Sequence, residues 1–313
     1  MSNVSFIRFR RNALKGAGSI AYKICRALLI IGLCFLIIQP LLSKITTSLM
    51  TRDDAYDPTV INVPKHFTLS NYPAIAKRMD YFPVMGRTFL VVFSATALQI
   101  AACLLAGYSF GRFQYPLKKA LFFLVIIIIV VPPQTIMAPL YLNFRYFDVL
   151  GIFRLLTGEP LNLLGSPASY LVLHATGLGL KSGLYIFLLR QYFRGVPREL
   201  EEAAYVDGCG RMRTFGQILL PDALPMVTAC FLFSFVWQWT DSFYFNLFMP
   251  AVNMMSSALA GLTGGAEGLR TYDPYAQGQI YTGILLTLAP MVLIYLFAQK
   301  TFVASLAHTG IKM

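Results

Sequence analysis

Six long apolar stretches divide this chain: Arg26–Ser48, Gly86–Tyr108, Ala120–Leu142, Ala168–Leu189, Met226–Phe248 and Gly278–Phe297. An α-helix of about 20 apolar residues covers ~30 Å, the depth of a bilayer's hydrocarbon core. The charges collect in the intervals between these stretches. Charged residues make up 13% of the chain and apolar residues 57%, with a mean hydropathy of +0.61. A soluble domain is about a quarter charged. The sequence therefore predicts an all-α polytopic membrane protein with six transmembrane helices.

Residues 1–25 form a tail rich in Arg and Lys and free of acids. It is like a signal peptide's leading region. The apolar run that follows is longer than a signal core and lacks a small-x-small cleavage site, so 26–48 reads as an uncleaved first span. An extracytoplasmic loop is expected over 49–85, a core of five helices over 86–302, and a cytoplasmic tail over 303–313. The expected inner segments hold sixteen Lys and Arg and the outer ones nine. That asymmetry places both termini, and the loop 191–225, in the cytoplasm. It also accounts for most of a net charge of +12, which on a soluble chain would point to nucleic acid. Five cysteines and three histidines show no metal-ligand or CxxC spacing, so neither a disulfide nor a metal site is expected.

The loop 191–225 has internal order. Pro197 suits a helix's first turn, and Glu199, Glu201 and Glu202 complement the helix dipole there. Arg198, Glu201, Glu202 and Tyr205 share one face, with Leu200, Ala203, Ala204 and Asp207 roughly opposite. Gly208 is the natural left-handed stop. A second amphipathic piece carries Phe215, Ile218 and Leu219, and Pro221 and Pro225 are expected to break it.

This loop resembles the EAA signature of binding-protein-dependent ABC importers. The signature is Glu202-Ala203-Ala204, three residues, Gly208, nine residues, then Ile218-Leu219-Leu220-Pro221, and every fixed position matches. Flanking segments are similar to those of carbohydrate permeases of the smaller, maltose type: Thr68 to Tyr72, Ala106 to Phe113, Gly177 to Gly183, Trp239-Thr240-Asp241 and the closing Gly310 to Lys312. The resemblance implies the type I importer permease fold in a bacterial cytoplasmic membrane. It implies a second homologous permease, two ATPase copies and an extracytoplasmic solute-binding protein as partners. It also implies a coupling role toward the ATPase for Glu201, Glu202, Ala203, Ala204, Asp207, Gly208, Phe215, Ile218 and Pro221.

No phosphate-binding loop or nucleophile–base motif is present in the sequence, so ATP and Mg²⁺ are expected on the partner ATPase, with no cofactor on this chain. Trp237, Gln238, Trp239, Asp241, Tyr244 and Asn246 are candidates for the substrate path, since aromatic plates with a few polar groups suit a sugar. An interfacial aromatic belt is the alternative for them. Gly261, Gly264, Gly265 and Gly268 sit where sugar permeases carry a loop toward the binding protein, or form a flexible linker. Pro132-Pro133 makes either a packing kink or a flexing pore helix. Lys181 is either a close-packing residue or a functional charge. Competing classes are the same machinery with an amino-acid or polyamine substrate, an ion-coupled secondary transporter, and an intramembrane enzyme. The last two lack midplane carboxylate clusters or a nucleophile–base pair.

Overall fold

A computed structural model describes residues 2–61, 63–149, 151–264 and 268–310, with side chains between 22 and 299. Among these residues the chain is helical, with two isolated β-bridges and no strand. The helices are α1 (Ser2–Ser48), α2 (Arg52–Tyr56), α3 (Asn71–Arg78), α4 (Tyr81–Arg112), α5 (Lys118–Val130), α6 (Met137–Arg145), α7 (Ile152–Thr157), α8 (Pro167–Ala175), α9 (Ser182–Gly195), α10 (Glu199–Val206), α11 (Arg211–Thr214), α12 (Leu220–Trp239), α13 (Phe243–Phe248), α14 (Met255–Gly261) and α15 (Pro274–Gly310). Two compact units result, Met1–Ile75 with Leu269–Leu285, and Ala76–Gly268 with Leu286–Met313.

In the first unit, the segment after α1 is folded rather than loose. Asn71 is buried and donates to the carbonyls of Ser48 (2.9 Å) and Met50 (3.2 Å). It thereby caps backbone groups that the end of α1 leaves without partners. Tyr275 donates in turn to Asn71, and Tyr56 to Asp273 at 2.7 Å. The buried Asp54 accepts from the His66 backbone N–H (2.7 Å) and pairs with its ring Nδ1 (2.9 Å). The Thr68–Tyr72 segment thus ties off the end of the first long apolar helix.

The second unit is built on α4, which starts at Tyr81, inside the expected loop 49–85. It touches α8, α9, α12 and α14. Against α9 the approach is close because α4 carries Gly107 and Gly111. A Cβ at Gly107 would lie 2.7 Å from Leu189 Cβ, and one at Gly111 would lie 2.9 Å from Phe193 Cβ. Glycines four apart give a helix a flat strip on which a second backbone can lie. Gly183 plays the same part between α9 and α5, where its Cβ would meet the Val125 carbonyl at 3.0 Å.

Four continuous helices among the described residues are long and apolar enough to cross a membrane: Tyr22–Ser48, Tyr81–Arg112, Arg211–Trp239 and Pro274–Gln299. A fifth appears if α5 and the Pro133–Arg145 segment, bent by 105°, count as one. The expected span Ala168–Leu189 is not a single rod. It breaks between α8 and α9, where Gly177 (φ +71°) and Lys181 (φ +63°) are left-handed. Polar groups at this break are met from α4: Gln99 Nε2 donates to Leu180 O (2.8 Å) and to the buried Ser182 Oγ (2.7 Å).

Pro221 and Pro225 do not break the chain as expected. The helix runs from Arg211 to Trp239 through a π-turn at Phe215–Leu219, in which the Leu220 N–H bonds back to Phe215 O. That shifted register directly precedes Pro221, whose missing N–H then costs little in the first turn of α12. The span expected to reach Phe248 stops at Trp239 instead.

Gly107→Val and Gly111→Val should each push α4 off α9 and lower the melting temperature of the detergent-solubilised protein, by roughly 1–3 kcal/mol of stability for each overpacked site. Gly86→Ala, where a Cβ meets nothing within 4 Å, should leave it unchanged.

Candidate coupling site

The loop after α9 folds as the local chemistry dictates. Pro197 ends the extended link, and Glu199, Glu201 and Glu202 occupy the first turn of α10. Gly208, at φ +79°, closes the helix. Its N–H bonds to Tyr205 O (3.1 Å) and that of Cys209 to Ala204 O (2.9 Å). This is a Schellman closure, and only glycine adopts that φ without strain.

α10 is held to the body of the unit by charge. Glu201 Oε1 lies 2.7 Å from Arg112 Nε, with both side chains largely shielded from solvent (13% and 6% exposed). The contact is a close charge pair rather than an aligned hydrogen bond, since neither atom meets hydrogen-bond geometry. Arg112 also donates from Nη2 to Val196 O at 2.7 Å. The last residue of α4 therefore grips both the link before α10 and the helix itself. Beneath it, Tyr108 packs on Phe193 and Phe215 with ring centroids 5.4 and 4.5 Å away. Tyr192 donates to Asp222 O (2.6 Å) and Oδ2 (3.1 Å).

This geometry divides the residues expected to face a partner. Glu201 and Ala204, three positions apart and so on one helical face, turn inward, and Ala204 is buried. Phe215 is also buried in the core and Ile218 is half-buried. These four are parts of the mounting, not of an outer surface. Glu202, Ala203, Asp207, Gly208 and Pro221 are exposed. The sequence reading missed the apolar members of the same surface: Val206 is 88% and Met212 80% exposed. Large apolar side chains standing free beside a charged helix mark a contact surface. It missed Arg112 too, although the segment Ala106 to Phe113 was singled out. Nothing in one sequence says which acid a distant Arg will meet.

The candidate substrate-path residues do not form one lining. Because α12 stops at Trp239, Trp237, Asp241 and Tyr244 do not lie on one continuous helix. Gln238 is buried, donating to Gln99 Oε1 and Ser234 Oγ (both 2.8 Å), while Ser234 donates to Gln99 Oε1 at 2.6 Å. Trp239 is buried and donates to Thr287 O at 3.1 Å. Asp241 is buried, accepts from the Tyr244 N–H (3.1 Å) and faces the Tyr170 hydroxyl at 3.4 Å. Tyr244 is buried as well. Trp237 and Asn246 are exposed, and Trp237 lies under the Lys181 ammonium at 5.0 Å. Lys181 thus has a packing partner in this chain.

Of the glycine-rich loop, Gly261 ends α14, and Gly268 approaches Thr263 O so closely that a Cβ would stand 2.6 Å from it. Gly264 is exposed. Gly265 lies outside the described residues, as do Ile311, Lys312 and Met313 of the closing segment.

Residues 100–308 match the family model of binding-protein-dependent transport system inner membrane components. The chain is 27% identical over 294 residues to a maltodextrin transport system permease protein of Bacillus subtilis, covering 93% of this chain and 96% of the relative. It is 27% identical over 299 residues to an sn-glycerol-3-phosphate transport system permease protein of Yersinia pestis, covering 91% and 95%. A crystal structure of a bacterial ABC transporter involved in import of the acidic polysaccharide alginate contains a chain of the same fold. It has a TM-score of 0.73 and 17% identity, covering 91% of this chain and 98% of that one. With the match spanning most of its length and the exposed, internally anchored α10 at its signature, the chain is a multi-pass membrane permease belonging to the binding-protein-dependent transport system inner membrane component family.

Proposed function

We propose that this chain is a non-catalytic transmembrane subunit of an ATP-driven importer that takes up an oligosaccharide. It works with a second homologous permease, two ATPase copies carrying ATP and Mg²⁺, and an extracytoplasmic binding protein, in a bacterial cytoplasmic membrane. It crosses the membrane six times with both ends in the cytoplasm, the broken α8–α9 pair serving as one passage. The observation that carries the reading is the mounting of α10. A short helix stands out from the chain with Glu202, Ala203, Val206 and Asp207 exposed, while Glu201 pairs with Arg112 of α4 and Ala204 is buried. Such a helix fits a groove of an ATPase subunit. Motion of that groove passes through the Arg112–Glu201 pair into α4, and from α4 into the helices packed on it.

Support for a saccharide comes from the maltodextrin and alginate systems of the relatives. The equally similar glycerol-phosphate permeases favour a second reading, a small phosphorylated polyol. Uptake into proteoliposomes by the complete transporter separates them. Maltodextrin or alginate oligomers should be accumulated with ATP inside. Accumulation of glycerol phosphate alone would assign the second reading.

Removing one member of the shielded pair leaves the other charge stranded. Glu201→Ala should therefore cost about 3 kcal/mol of stability, read by thermal melting, because lone charges in shielded sites lose that much. The exchange Arg112→Glu with Glu201→Arg should recover part of it. Glu202→Lys, on the outer face, should leave melting unchanged but reduce co-purification of the ATPase subunit. Gly208→Pro should leave the protein in the membrane and abolish uptake, since the Schellman closure needs both the positive φ and the N–H. A cysteine at Val206 should react with an impermeant maleimide only from the cytoplasmic side. Labelling from outside would overturn the topology.

A further inference from the structure

Beside the coupling helix lies a second feature, which shares only Arg112 with the coupling contact. A cavity of about 830 Å³ opens where α4 ends, α5 begins and α9 ends. Six cations line it: Arg112, Lys118, Lys119, Arg190, Arg194 and Arg198. No carboxylate does. Arg112 is neutralised by Glu201. Among the described residues the other five have no ion-pair partner. The Arg190 guanidinium carbon lies over the Phe122 ring, 3.8 Å from its centroid, which fixes it across the gap from α9 to α5. Its Nε is buried without an acceptor.

Helix dipoles sharpen the imbalance. Arg190 and Arg194 sit near the C-terminus of α9, where cations are welcome. Lys118 and Lys119 sit in the first turn of α5, where they oppose the dipole. No side chain caps that end, and Leu117 before it is left-handed. Like charges around one cavity, added to the positive end of a 13-residue helix, repel one another unless an anion enters.

The surroundings say which kind of anion. From the same end of α5 runs an exposed apolar strip at i, i+4, i+7 and i+11: Leu117 (75%), Leu121 (44%), Leu124 (53%) and Ile128 (48%). A basic head site continuous with an apolar flank is complementary to an amphiphile, and basic pockets between membrane helices take lipid headgroups. We propose that this cavity binds the phosphodiester headgroup of an anionic phospholipid, with its acyl chains lying along the Leu117–Ile128 strip. Arg190 and Lys118 would hold the phosphate, and Lys119, Arg194 and Arg198 would supply the surrounding field. The site rests on α5 lying in the membrane and not on which solute is carried.

The test is native mass spectrometry of the full-length chain in detergent, titrated separately with dioleoyl phosphatidylglycerol and dioleoyl phosphatidylcholine. The first should bind at least tenfold more tightly. The variant Lys119→Gln/Arg194→Gln/Arg198→Gln alters only exposed side chains and spares the Arg190–Phe122 stack, and it should lose on the order of 100-fold in phosphatidylglycerol affinity. Arg145→Gln/Arg154→Gln/Arg270→Gln removes the same charge elsewhere and should lose nothing. Equal binding of the two lipids, equal loss in both variants, or full displacement by inorganic phosphate would overturn the proposal. So would unchanged lipid binding in the first variant with loss of ATPase co-purification, which would assign the cavity to an acidic protein surface.

Discussion

The close approach of α4 to α9 is the contact on which the rest of the larger unit depends. Gly107 and Gly111 remove the side chains that would hold the two backbones apart, and Leu189 and Phe193 fill the space. In lipid, helices gain little from hiding apolar groups, because the solvent is itself apolar. Close van der Waals fit has to supply the association. Once the two helices lie against each other, Arg112 at the end of α4 stands beside Val196 and Glu201. The charge pair holding α10 is a consequence of that packing.

A second constraint acts at the break between α8 and α9. Irregular backbone at membrane depth survives only where protein groups replace water as hydrogen-bonding partners. Gln99 does so for Leu180 O and Ser182, and its own carbonyl is met by Ser234 and Gln238. One buried amide thus links α4, the start of α9 and α12. This also makes Gln238 part of an internal network. The polar groups on these helices are spent on the irregular joint, and the outward face is left to Trp237 and the exposed apolar residues.

Rigid mounting and exposed tip together describe a lever. The aromatic cluster of Tyr108, Phe193 and Phe215 and the Arg112–Glu201 pair make the base stiff. The π-turn at Phe215–Leu219 lets the chain pass without interruption into α12 despite two prolines. A displacement of α10 therefore has covalent and packed routes into α12 and α4. A loose loop would absorb it.

Much of this was legible in the sequence. The apolar runs marked the membrane helices, because a bilayer admits only backbone that satisfies its own hydrogen bonds. The Glu-Ala-Ala signature, the acidic first turn and Gly208 marked α10 and its end, because capping and left-handed φ are local properties. What the tertiary structure alone decided is which of those residues face inward. Glu201 and Ala204 are indistinguishable from Glu202 and Ala203 by type, and only the place of Arg112 and the bulk of the unit separates them. The break at Gly177–Lys181, the uninterrupted passage through Pro221 and Pro225, and the scattering of Trp237 to Asn246 are of the same kind. Each depends on a hydrogen-bond partner or a packing surface far away in the chain, and hydrophobic periodicity within one segment carries no record of it.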